Sequence, residues 1–265
     1  MDQRIPESVQ PIVESYVAQC YEQFPPLVSG FYLAGSIALG EFNEYYSDID
    51  FLTVLDRRLS PAEIENLRSI HQNIEKTFSW KMSGSYIQPG DLGKLNDDVE
   101  PHPHFHDGIL HLDRRNELNA VTWWELKNHG IAVIGMDPQH LPIHVDWNVL
   151  IAQMRENLNS YWAGWARRPA RMILLHSDWG IQWAVTGVLR QFYTFQENTI
   201  TTKIKAAEYA LGCLPERWHP LIQEAINIRN QKKGSAYRLK MFRAWEAVRF
   251  LKLVIQTCNA NYPQR

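Results

Sequence analysis

Leu33-Ala34-Gly35-Ser36 and, after eleven intervening residues, Asp48-Ile49-Asp50-Phe51-Leu52 decide how this chain is read. The second stretch continues through Thr53-Val54-Leu55 as a β-branched, apolar run with the character of a buried strand. Side chains two apart on a strand share a face, so Asp48 and Asp50 point together. Like charges beside an apolar strand repel unless a cation or donor offsets them, and two hard carboxylates in that position suit Mg²⁺. The first stretch ends a short strand, Val28 to Ala34, at a Gly-Ser pair. Glycine lets a backbone approach a phosphate closely, and Ser36 opening a helix adds a hydroxyl and free N–H groups to the same oxygens. Ser47 offers one more hydrogen bond. Nucleotidyl transfer needs both parts at once, donors for a triphosphate and carboxylates for a metal. Gly-Ser alone is a common turn and Asp-x-Asp alone a solvated strand cap; the signal lies in their combination along strand, turn, helix and strand.

Working outward, residues 7–24 carry Val9, Ile12, Val13, Tyr16, Val17 and Tyr21 at helical spacing, with Pro25-Pro26 as the stop. Ser60-Pro61 signals a helix start with Ser60 as cap, and Ile64, Leu67, Ile70 or His71, and Ile74 continue its buried stripe to about Phe78. Trp80 to Ile87 alternates as a third strand and Pro89-Gly90 closes it. Asp91 to Phe105, polar and rich in Pro and His, reads as a long functional or mobile loop. Trp123 to His129 reads as a short helix ended by Gly130, and Ile131 to Ile134 as a strand. Beyond Pro142 the period turns helical and stays so, with helices expected over 150–161, 170–193, 202–211, 216–230 and a last one through Phe242 and Leu251. The expected fold class is α+β: an N-terminal α/β lobe with a mixed sheet over residues 1–140 and a C-terminal all-helical lobe over 141–265.

Composition limits the function. Hydrophobic residues at 45% and charged ones at 21% describe a folded globular chain, and no apolar run approaches the roughly 20 residues of a membrane span. The N-terminus lacks the basic-then-apolar pattern of an export signal, so a cytoplasmic protein is expected. Cys20, Cys213 and Cys258 form no Cys-x-x-Cys pair and read as small buried hydrophobes. A net charge of −2 without long blocks of one sign argues against a nucleic-acid partner, and a monomer is the expected state.

The sequence Leu33 to Ser36 through Ser47 to Leu52 resembles the active-site signature of the polymerase-β-like nucleotidyltransferase superfamily. Leu189-Arg190-Gln191-Phe192-Tyr193 and Ile200 to Ala210 resemble the C-terminal domain of the aminoglycoside adenylyltransferases that modify streptomycin and spectinomycin. The likeness covers most of the chain. It implies a nucleotide-binding lobe and a helical lobe forming a cleft, with ATP and Mg²⁺ held on the first and AMP passed to a drug hydroxyl, a route to antibiotic resistance. Position by position, it implies that Gly35 and Ser36 hold phosphate, that Asp48 and Asp50 ligate metal, and that Lys203 reaches the triphosphate. Arg190 is given a phosphate contact or a packing role.

The chain departs from the family at one place. A third carboxylate, on the strand after the helix, removes the proton from the acceptor hydroxyl in the family; here the matching strand, Trp80 to Ile87, has no acid and offers Lys81, Ser83 and Ser85, with Ser83 the best match to the acidic position. Loss of a general base costs about a hundredfold to ten-thousandfold in rate, so Asp91, Glu100 and Asp107 are candidate substitutes. Two other functions follow from this gap: a nucleotide-binding protein with weak or lost transfer, and a transferase that adenylylates a protein. His102, His104, His106 and His111 have the residue type for zinc, but interleaved prolines and the lack of a Cys or acid at ligand spacing favour a solvated loop. Asp178 is the one candidate drug-binding acid in the helical lobe, and Trp179 and Trp183 read as core before cleft.

Overall fold

The computed structural model describes residues 2–78, 80–114, 118–167 and 172–261. They form two units, Met1–Leu150 and Ile151–Arg265.

In the first unit the short apolar runs pair into a six-stranded sheet. The strands are β1 (Val28–Leu33), β2 (Ile49–Leu55), β3 (Met82–Ile87), β4 (His102–His106), β5 (Ile109–Arg114) and β6 (Ile131–Ile134), in the order β5-β4-β3-β2-β1-β6. β2 and β3 run parallel; every other pair is antiparallel, so the sheet is mixed as expected. The helices α1 (Gln10–Gln23), α2 (Gly35–Ala38), α3 (Pro61–Phe78) and α4 (Ala120–His129) complete the unit. At the start of α3 the Ser60 N–H donates to Glu63 (2.7 Å) and the Glu63 N–H approaches Ser60 Oγ (3.4 Å), the reciprocal cap that the Ser60-Pro61 pair signals.

Alternation along the strands separates two apolar layers. Tyr16 and Ile12 of α1 and Leu67 and Ile70 of α3 pack with Phe31, Phe51, Tyr86 and Phe105. Tyr32, Leu52, Val54 and Ile87 pack instead with Trp123 and Leu126 of α4. Asp50 precedes Leu52 by two residues, so parity puts its side chain on the α4 side of the sheet, away from the larger core.

The larger core holds a polar chain. Tyr16 Oη lies 2.8 Å from Tyr86 Oη and 3.1 Å from Thr53 Oγ1, and His71 Nε2 lies 2.5 Å from Tyr86 Oη. The His71 ring stacks on Phe105 at 3.6 Å and 8°. Burial pushes the imidazole pKa down from 6.5 to about 3. Between those values the unfolded chain binds a proton that the folded chain refuses. His71 therefore adds stability that is complete above pH 6.5 and declines as the pH falls toward 3, at about 1.4 kcal/mol per pH unit. His71→Phe, which keeps the stacking surface, is expected to lose less stability than wild type between pH 7 and pH 5; urea midpoints at the two pH values check this. Equal losses in both proteins would contradict it.

Residues 91–114 correct the sequence reading. β4 begins at His102, inside the expected loop, and pairs with β3 through Gly84–Phe105 and Ser85–His104. Pro103, taken as a loop signal, sits where the β4–β5 register shifts between His102 and His104, an irregularity at which a missing N–H is tolerated. The segment before β4 is pinned to α4 by the Trp123 Nε1–H, which donates to the Lys94 carbonyl at 2.6 Å, and by Leu92, Leu95 and Val99 in the smaller apolar layer.

Helix α5 (Trp147–Asn157) leads into the second unit, which is helical: a π-turn at Leu158–Trp162, then α6 (Ala163–Arg167), α7 (Met172–Leu175), α8 (Asp178–Glu197), α9 (Lys203–Cys213), α10 (His219–Arg229) and α11 (Lys240–Asn261). The expected helix over 170–193 is two helices, and its start at Ala170 lies outside the described residues. Ser177 makes the break: it is extended, donates through Oγ to the Leu174 carbonyl (2.6 Å) and accepts from the Gly180 N–H (2.9 Å), ending one helix while capping the next. Among the described residues no helix is long and apolar enough to cross a membrane.

Candidate active site

The candidate site of the first unit is built where β1 leaves the sheet. The Ala34 N–H donates to the Asp50 carbonyl at 3.0 Å, so the chain turns into α2 beside the start of β2. Gly35 takes φ +58°, and a Cβ there would stand 1.9 Å from Asp50 Oδ2 and 2.7 Å from its Cγ. Glycine is required twice over, for the backbone angle and for the space that the carboxylate fills. The next residue carries the complementary group. Ser36 Oγ is shut off from solvent and finds no hydrogen-bond partner among the described residues, a state that costs free energy unless a ligand oxygen satisfies it.

Asp48 and Asp50, either side of Ile49, are both partly exposed while Ile49 is buried. The loop before them is held by its own side chains. Asn43 Oδ1 accepts from the N–H groups of Tyr45 (3.0 Å) and Tyr46 (3.1 Å), and Ser47 Oγ accepts from the Asn43 N–H (3.1 Å). Ser47, expected to contact phosphate, thus closes the turn that presents Asp48. Among the described residues no three His, Cys, Asp or Glu side chains are grouped as a metal site. Two carboxylates are enough to hold Mg²⁺ where phosphate oxygens and water complete its shell. The donors present, hard oxygens beside a shielded hydroxyl and a glycine cradle, fit that ion.

On β3, Ser83 pairs in register with Asp50. No carboxylate hydrogen-bonds to it among the described residues; its Oγ lies 3.1 Å from His106 Nδ1 on β4, and two residues on, Ser85 Oγ lies 2.8 Å from His104 Nδ1. The histidines expected in a solvated loop are therefore strand residues, two of them paired with the serines of β3. Asp91, a candidate substitute base, bonds Lys94 Nζ at 3.0 Å. Asp107 bonds Lys81 Nζ at 3.0 Å and approaches His106 Nε2 at 3.3 Å. Sequence reasoning missed the hairpin that makes this possible. Its signal was present: Asp107-Gly108 is a two-residue turn pair, and both residues take positive φ, 47° and 76°.

In the second unit, Arg190 lies within α8 and Lys203 opens α9, and a hydrogen bond ties the first to the connection between the two helices. Arg190 Nε–H of α8 donates to the Thr201 carbonyl at 3.1 Å, and Thr202 caps α9, its Oγ1 accepting from the Lys205 N–H. Lys203 is the first residue of that helix, so Arg190 fixes the segment from which Lys203 projects. Asp178, the candidate drug-binding acid, takes 2.7 Å from Arg243, whose other nitrogen meets the buried Glu224 at 2.8 Å. Trp179, 45% exposed, stacks on Trp183 at 5.6 Å and 10°, and Trp183 packs on Trp162 and Trp165.

Residues 14–89 match the family model of the nucleotidyltransferase domain, and residues 181–252 match that of the aminoglycoside adenylyltransferase C-terminal domain. The chain is a nucleotidyltransferase with an aminoglycoside adenylyltransferase C-terminal domain. The first match spans both halves of the motif around Gly35 and Asp50, and the second spans Arg190 and Lys203. At a coarse level the chemistry of this enzyme is AMP transfer. No curated protein matches it in sequence. Among solved structures it is similar to the spectinomycin adenyltransferase AAD(9) from Enterococcus faecialis, crystallised with ATP and spectinomycin. The TM-score is 0.69 at 13% identity, over 93% of this chain and 99% of that one. At that identity the likeness establishes a shared fold for the transferase.

Proposed function

We propose that this enzyme transfers AMP from ATP to a hydroxyl of an aminoglycoside or a similar small molecule, with Mg²⁺ held by Asp48 and Asp50. The observation that carries the reading is the contact between Gly35 and the Asp50 carboxylate with the unpartnered Ser36 hydroxyl next to it. Phosphate and metal would thereby be gripped by adjacent residues. Gly35 lets the turn close on the Asp50 carboxylate and offers its backbone to phosphate, Ser36 donates its hydroxyl, and Ser47 fixes the loop that aims Asp48. Lys203 supplies a cation to the triphosphate, and Arg190 holds the segment that carries Lys203. A divalent ion on the two carboxylates would neutralise charge that builds on the phosphates as the acceptor oxygen bonds to the α-phosphorus. The C-terminal domain supports a drug-like acceptor, and the fold neighbour crystallised with spectinomycin supports the same class.

Incubation with α-³²P-labelled ATP, Mg²⁺ and a panel containing spectinomycin, streptomycin and other aminoglycosides tests the reading. Labelled drug with release of pyrophosphate is the expected product. ATP binding by calorimetry with no labelled product would favour nucleotide binding without transfer, for which the serine at position 83 is the motive. Label on a protein and on no small molecule would move the acceptor to a polypeptide.

A further inference from the structure

Three neighbouring strands set one polar row across the sheet. Asp50 of β2 is in register with Ser83 of β3. Gly84 pairs with Phe105 in β4, so the next step along the antiparallel ladder brings Ser83 opposite His106, and the side chains meet at 3.1 Å between Oγ and Nδ1. Residues directly paired across strands share a face, so Asp50, Ser83 and His106 lie on the same side. The row ends at the turn, where Asp107 Oδ2 lies 3.3 Å from His106 Nε2.

We infer that Ser83, His106 and Asp107 act as a proton relay in place of the missing carboxylate, an inference that rests on the AMP-transfer reading above. The Asp107 carboxylate, 3.3 Å from Nε2, favours a proton on that nitrogen, which leaves the Nδ1 lone pair to accept from the Ser83 hydroxyl. Ser83 then takes the acceptor's proton as its own passes to His106. In the same step the acceptor oxygen bonds to the α-phosphorus, the bond from that phosphorus to the bridging oxygen breaks, and pyrophosphate leaves with the electron pair. The imidazolium formed is balanced by Asp107 and returns its proton to water. Serine alone is too weak a base for this, and imidazole supplies the basicity it lacks.

The surroundings keep Asp107 available in its charged form. Its hydrogen bond from Lys81 holds the carboxyl below the usual range. Glu75 of α3 also faces the turn, near Gly108; burial raises its carboxyl, and the Asp107 charge pushes it the same way. The His104 ring is 6.1 Å from that of His106, with its own Nδ1 engaged by Ser85. His106 is the imidazole of this pair that meets Ser83.

The test is a cycle of His106→Gln and Ser83→Asp, measuring kcat and the KM for ATP and for the acceptor. His106→Gln is expected to lower kcat by about a hundredfold with both KM values little changed. Ser83→Asp restores a carboxylate in the row, and in that background His106→Gln is expected to change kcat by less than about threefold. A wild-type kcat in His106→Gln, or the same hundredfold loss in both backgrounds, would overturn the relay. If neither wild type nor Ser83→Asp forms an AMP adduct, the transfer reading falls and the relay with it. A wild type that transfers AMP untouched by His106→Gln removes the relay alone.

Discussion

Asp50→Asn is expected to lower kcat/KM for AMP transfer by about a thousandfold or more while leaving the folded state nearly as stable as wild type. The carboxylate lies at the start of β2, partly exposed and packed on the Gly35 backbone, so an amide of the same shape fits the space. What it lacks is charge. A neutral oxygen is a poor ligand for Mg²⁺, and electrostatic stabilisation lost at a reacting phosphate is worth several kcal/mol, each 1.36 kcal/mol being tenfold in rate. Transfer rates over a Mg²⁺ titration, with the thermal midpoint measured beside them, check the prediction. Undiminished transfer at low Mg²⁺ would remove Asp50 from the metal site.

Gly35→Ala strikes the same contact from the other side and is expected to damage both activity and stability. A methyl group at φ +58° is strained by about 1–3 kcal/mol, and it would overlap the Asp50 carboxylate, whose Oδ2 lies 1.9 Å from the Cβ position. Relief requires either the turn or the carboxylate to move by an ångström or more. Displacement of that size at a reacting centre costs about a hundredfold in rate. Activity should fall further than the stability loss explains, and paired measurements of kcat/KM and the urea midpoint separate the two. A variant that loses stability with its kcat/KM intact would show that the contact belongs to the fold and not to the chemistry.

How much was legible in the sequence follows from distance along the chain and from what each residue touches. Gly35 and Asp50 are close in sequence and sit on a strand, a turn and a strand whose periods are plain, so their meeting could be read directly. Ser83 was legible as a residue of the third strand, while its register level with Asp50 comes from the pairing of β2 with β3. The β4–β5 hairpin was hidden because its first strand is made mostly of His and Pro, with Phe105 the main apolar residue holding β4 in the core. Composition described a loop, and the Asp107-Gly108 turn pair that argues otherwise went unread. The break at Ser177 was obscured by an apolar period that continues across it, while the bonds that make it are the serine's own. The tie from Trp123 to Lys94 is tertiary, joining residues 29 positions apart, and no local pattern announces it.

The turn that closes β4 onto β5 has an evolutionary consequence. Asp107 is both one of the two residues whose left-handed angles reverse the chain and the anion beside His106. Selection for an orderly hairpin and selection for proton transfer therefore act on one codon and cannot drift apart. Asp107→Asn is the nearest escape, since asparagine tolerates the angle and lacks the charge. A lineage carrying that change would keep the architecture and shed the relay, and its sheet would give no outward sign of the loss.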